Sequence, residues 1–182
     1  MAEDIKRKGY GQVEPNHLSG IVTGQIYAQL PVKSGETQLE QGQFAKYNYA
    51  AGVVDFDSED GEFMLVYNEE KLYDERKQAH KDFVYKVGDF ADGKMFPRLI
   101  RTYVGDIMTT NMIGAVNTTG DEAEVTIGDD EALVVGAYLA PNTTKGILTV
   151  AQTKPQSGMV WKIVKVYTMP DGQPGFKIQR VQ

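Results

Sequence analysis

Hydrophobic and polar positions alternate with the period of a strand along most of the chain, in short runs punctuated by Gly, Pro, Asn and Asp. Phe44 to Tyr49 alternates aromatic and polar residues. Gly52 to Phe56 and Phe63 to Tyr67 are apolar runs joined by Asp57-Ser58-Glu59-Asp60-Gly61, which reads as a hairpin connector with the two runs paired. Val84 to Phe90 and Met95 to Asp106 follow as strands, the second with Pro97 near its start, where a strand tolerates proline. Downstream, strands are expected near Ala115 to Asn117, Glu122 to Ile127, Ala132 to Leu139, Gly146 to Gln152, Met159 to Met169 and Gly175 to Val181, with turns spaced as in a small sandwich or barrel. Trp161, Ile163, Val166 and Tyr167 put apolar side chains on both faces of one strand, which marks it as a core strand.

Two stretches break the pattern. Residues 1–36 carry Gly9, Gly11, Pro15, Gly20, Gly24, Pro31 and Gly35 and few apolar runs, which suits an extended arm. Within it Ile26, Ala28 and Leu30 alternate, so the stretch either adds as a strand to a neighbouring sheet or forms a self-folded or disordered terminus. Asn68 to Phe83 is highly charged, with Leu72, Arg76, Ala79 and Phe83 near one helical face; it reads as a short helix capped by Asn68 or as a charged excursion. The expected architecture is mainly β: an extended N-terminal arm (1–36), a first antiparallel β unit (37–112) with the excursion 68–83, and a second β unit (113–182), each a small barrel or sandwich.

Composition narrows the chemistry. The 182 residues include no cysteine and two histidines, His17 and His80, so disulfides, thiolate metal sites and a Cys nucleophile are excluded, and a His-rich metal centre or Ser-His-Asp triad has almost nothing to draw on. Asp55 to Glu62 resembles a calcium loop only superficially: counted from Asp55, Asp60 stands where the loop needs glycine and Val66 where it needs glutamate, so a solvated hairpin tip is expected. No spacing supports a glycosidase acid and base, and no nucleotide-binding, zinc-protease or serine-hydrolase motif occurs. We expect no enzyme activity, no cofactor and no small-molecule substrate.

The net charge of −6 argues against nucleic acid as the main partner. It is unevenly spread, at 0 over 1–50, −6 over 51–82, −5 over 83–144 and +5 over 145–182, a pattern that fits internal pairing or subunits laid head to tail. No apolar run approaches a membrane span and no secretory signal is evident, so synthesis in the cytosol is expected, and the sequons at Asn117 and Asn142 read as turn chemistry. Ten tyrosines, with Tyr10, Tyr27, Tyr47, Tyr49, Tyr67, Tyr73 and Tyr85 in or beside the arm and first unit, suit either protein interfaces or plain strand propensity.

The runs Phe63 to Arg76, Phe96 to Asn111 and Val160 to Gly175 resemble those of small virion structural proteins of tailed bacteriophages, most of all capsid decoration or head auxiliary proteins. The resemblance implies a non-enzymatic protein of the virion that binds the assembled shell of the major capsid protein, bridges capsomers and associates with itself. It carries no motif from which functional residues transfer. Contacts with capsid or sister subunits are expected on the arm, at Tyr10, His17, Ile21, Ile26, Tyr27 and Leu30. Alternatives are a tail-tube or connector component, or a carbohydrate- or receptor-binding module with Tyr73, Tyr85 or Trp161 as stacking platforms.

Overall fold

The computed structural model describes residues 5–70, 79–87, 92–117, 124–127 and 133–182. The protein is mainly β, and its antiparallel sheets include one that curls into a half-barrel. A six-stranded sheet runs β14 (Leu148–Ala151), β13 (Tyr138–Pro141), β15 (Trp161–Thr168), β16 (Pro174–Arg180), β10 (Ile107–Thr110), β2 (Val13–His17). A five-stranded sheet runs β3 (Ile26–Tyr27), β9 (Leu99–Ile100), β7 (Phe63–Val66), β5 (Phe44–Asn48), β6 (Val53–Asp55). Two smaller ladders join β1 (Ile5–Lys6), β12 (Glu124–Ile127) and β11 (Ala115–Asn117), and β4 (Gln38–Leu39) with β8 (Tyr85–Lys86).

Period-2 alternation explains why the five-stranded sheet is apolar on both faces. Phe44 and Leu65 are register partners and point into a core with Trp161, Ile163, Leu139, Phe176 and Ile178 of the six-stranded sheet. Their neighbours Ala45 and Met64, also partners, point the other way into a second core with Tyr47, Val54, Val66, Met95 and Leu99. The apolar run Phe63 to Val66 is therefore a central strand, and the Phe44 ring packs against Trp161, tilted by 52° with centroids 5.7 Å apart, across the layer between the sheets.

Several expectations change. The runs at 53–55 and 63–66 do not pair with each other; each pairs with β5, on opposite sides, because β5 offers two free edges and only the β5–β6 link is short enough for a hairpin. The strand expected over Ala132 to Leu139 begins only at Tyr138, after a turn at Val134 to Ala137. Met95 to Asp106 contributes just Leu99–Ile100 before the Val104–Gly105 turn, where Gly105 takes φ +99°. In the charged excursion, residues 71–78 lie outside the described residues, 68–70 are not helical, and His80–Asp82 makes a single 3-10 turn. The Pro170-Asp171-Gly172 turn joins β15 to β16 as expected, and Asn142 Oδ1 accepts bonds from the Thr144 and Lys145 N–H groups, the turn role read for that sequon.

Strand pairing crosses the expected boundaries at 36/37 and 112/113. β2 is an edge strand of the six-stranded sheet through β10, and β10 bonds to β16 on its other side. β3 likewise bonds to β9. Ahead of β2 the chain is tied down by polar bonds. Arg7 Nη2 meets Glu40 Oε2 at 2.6 Å with side chains only 4% and 9% exposed, and the Gly11 N–H donates to the same oxygen at 2.8 Å. Lys8 exchanges two bonds with the Gln173 amide, the Gln12 N–H donates to Asn111 Oδ1, and Thr110 Oγ1 donates to the Gln12 carbonyl. Gly11 is required there, since a Cβ would stand 2.2 Å from the Gln41 carbonyl oxygen. With Val13 and Leu18 buried in the first core, these residues are part of the fold and not a detached arm.

Candidate protein interface

Just after β2 the chain makes one helical turn, α1 (Ser19–Val22), anchored by the buried Leu18 plug. Gly20 lies so close to the Arg101 carbonyl that a Cβ would approach it within 1.9 Å, which seats α1 directly on the segment leading from β9. The Leu18 side chain cannot cap the turn, and Asp106 does so from the far side of the sequence. Its Oδ1 accepts from the Ser19 N–H and hydroxyl, while Oδ2 accepts the Tyr103 N–H at 2.8 Å. One buried carboxylate thus holds α1 and the 103–106 turn together.

Both segments present apolar side chains to solvent. Val22 is 79% and Val104 68% exposed, with Ile21 and Tyr103 exposed beside them. Large apolar groups clustered on a rigid scaffold are the feature that distinguishes a binding surface from scattered exposed residues. Behind them the Gly105 N–H bonds to the Arg180 carbonyl, and the Arg180 guanidinium bonds to Thr102; burial pulls the Arg180 pKa down, against the carboxylates of Glu62 and Asp106.

Of the residues expected to make contacts, Ile21 belongs to this surface and His17 is exposed at the end of β2, opposite Ile107. The others are engaged internally. Tyr27 packs edge-on to Tyr47 at 5.5 Å under the Arg101 guanidinium, Leu30 packs on the second core, Ile26 pairs with Ile100, and Tyr10 donates its N–H to the Lys81 carbonyl. Sequence reasoning missed Val22, Tyr103, Val104 and Asp106 because Tyr103 to Asp106 reads as strand; the Gly105-Asp106 pair was the available turn signal.

A cleft of about 530 Å³ between β2 and residues 67–70 carries Tyr67, Glu69, Glu70 and His80. Burial, then the Glu70 charge, pushes the Tyr67 phenol up. Glu69 is paired with Arg98 at 2.7 Å and Glu70 contacts His80, so both carboxylates already have partners. Among the described residues no group of three or more His, Cys, Asp or Glu is placed to hold a metal ion. The Asp55 carboxylate accepts from Asn48 and from the Ser58 N–H, which organises the connector it opens. Trp161 is fully buried and Tyr85 is partly buried, its hydroxyl donating to the Phe96 carbonyl, while Tyr73 lies outside the described residues. A stacking platform at Trp161 is thereby ruled out.

Comparison of the chain with protein-family models, with curated proteins and with solved structures found no match in any of the three.

Proposed function

We propose that the chain is a non-enzymatic structural protein of a phage particle that binds the assembled capsid shell and stabilises it. The observation that carries this reading is the apolar surface of Ile21, Val22, Tyr103 and Val104, fixed on the fold by the buried Asp106 carboxylate. A preorganised surface loses little conformational entropy on docking, and many identical weak contacts on a symmetric lattice add through multivalency. The resemblance of Phe63 to Arg76, Phe96 to Asn111 and Val160 to Gly175 to decoration proteins supports the same reading.

The test mixes the purified chain with empty shells of the cognate major capsid protein and measures occupancy by co-sedimentation and imaging. Saturable decoration is expected, with occupancy reduced at least about 10-fold by Val22→Asp combined with Val104→Asp. Both sites are exposed, so the melting temperature should stay within about 2 °C of the parent. No decoration, or decoration indifferent to the double substitution, would remove the reading. Rings or tubes formed by the chain alone would favour a tail-tube component instead.

A further inference from the structure

Strand β15 is covered along only part of one edge. Its pairing with β13 covers Trp161 and Lys162, and Ile163 adds the last bonds, donating to the Ala137 carbonyl and accepting from the Gly136 N–H. A bulge follows at Val164. From there to Thr168 only β16 lies alongside among the described strands, and all five residues are exposed.

The direction of the backbone groups on this edge follows from one bond. The Met169 N–H donates to the Gln173 carbonyl at 2.8 Å, so these two residues face each other as a hydrogen-bonded pair. Bonded and non-bonded pairs alternate along an antiparallel ladder, which makes Thr168/Pro174 and Val166/Phe176 the pairs that exchange no bonds. Pro174, with no N–H, fits that assignment. The N–H and C=O of Val166 and Thr168 therefore point outward, at the open edge. Val166 shares its face with the core residue Phe176 yet is 52% exposed, so the core face runs out from under its cover here.

We propose that a second copy of this chain adds to this edge, β15 against β15, antiparallel about a two-fold axis between the Tyr167 residues. In that register Val166 faces the partner's Thr168 on both sides of the axis, and each such pair exchanges both main-chain hydrogen bonds. Moving the axis to Val166 would set Thr168 against the bulge at Val164 and lose bonds. The Tyr167 register also places Lys165 opposite the partner's Met169, so no lysine directly faces a lysine. A two-fold contact requires a self-complementary edge, and the spacing of Val166 and Thr168 supplies one. The exposed Val134 and Val135, brought beside the start of this edge by the Gly136 bond, extend the apolar contact. This contact does not depend on shell binding and uses a different surface from the Ile21–Val104 cluster.

The charges make it distinguishable from capture of an acidic strand. Lys162, Lys165 and Lys177 surround the edge, and no carboxylate within salt-bridge distance of them is found among the described residues. Two copies bring these lysines together, so salt should strengthen self-pairing, whereas it would weaken binding of an acidic partner.

Sedimentation velocity of the full chain from about 1 µM to about 1 mM, a range suited to a contact of this size, tests the proposal at low and high salt. A monomer–dimer equilibrium is expected that shifts toward dimer as salt rises. Thr168→Pro deletes an N–H that faces only the open edge, and Val166→Lys adds a charge to it; each should weaken dimerisation at least about 10-fold. Val166→Lys sits at an exposed position and keeps the test decisive if the proline variant fails to fold. Tyr49→Ser, exposed in the turn between β5 and β6 of the other sheet, should leave the equilibrium unchanged. A chain monomeric throughout, a dimer indifferent to both substitutions, or one that dissociates as salt rises would each overturn the proposal.

Discussion

Asp106 and Ser19 are joined by two hydrogen bonds across 87 residues of sequence: Oδ1 accepts the Ser19 N–H at 3.0 Å and the Ser19 hydroxyl at 2.6 Å. Because Oδ2 also accepts the Tyr103 N–H, removing this carboxylate leaves donors on two segments unpaired at once. Asp106→Ala should cost about 3 kcal/mol in urea denaturation, and Ser19→Ala, which deletes only the hydroxyl bond, about 1 kcal/mol. Equal effects of the two substitutions would contradict this account.

The Arg7–Glu40 pair predicts non-additivity. Burial pulls the Arg7 pKa down and the Glu40 charge opposes it, so each ion relies on the other for compensation. Glu40→Gln, which strands a buried guanidinium, should cost about 3 to 5 kcal/mol. Adding Arg7→Met to it should cost less than the sum of the single changes, as read from a double-mutant cycle.

Deleting residues 1–36 should unfold the protein and not merely free it of an arm. The deletion strips β2 from β10, removes Val13 and Leu18 from the first core, and leaves Glu40 without Arg7. A truncated chain with native circular dichroism and a cooperative melt would show that these bonds are dispensable.

Acid should loosen the contact between the β15–β16 turn and residues 8–12. Burial raises the Asp171 carboxyl, but hydrogen bonds from Gln12 and Gln173 outweigh it, and the group sits below the ordinary aspartate value. A carboxyl lowered in the folded state contributes stability that is complete above its unfolded pKa and is lost as pH falls through the folded one, here below about pH 4. The melting temperature of the parent should exceed that of Asp171→Asn at pH 7 by more than at pH 3. An unchanged difference would mean that the charge contributes nothing.

What could be read in advance was local. β15 and β16 were visible because Trp161 and Ile163 alternate inward and Pro170-Asp171-Gly172 has turn chemistry, and β5, β6 and β7 for similar reasons. What escaped were relationships between distant positions. Val13-Glu14-Pro15-Asn16-His17 has one buried residue and a proline, which is how an edge strand looks, and nothing in it names β10 as its neighbour. Arm glycines that signalled flexibility are in three cases close contacts: Gly9 against the Lys81 carbonyl, Gly11 against that of Gln41 and Gly20 against that of Arg101. The exposed cluster was half legible through Ile21, but its other members depend on a long-range cap that only folding creates.

The position of β10 has a consequence for motion. It bonds to β2 on one side and β16 on the other, and Met108, Thr109 and Thr110 have no solvent exposure. Its amides should exchange with deuterium only when the whole molecule opens, setting the slowest rate, while the two-residue β4–β8 ladder should exchange far sooner through local fraying. The strand that joins β2 to the rest of the sheet would then act as the clock of the entire fold, and its protection would report global stability directly.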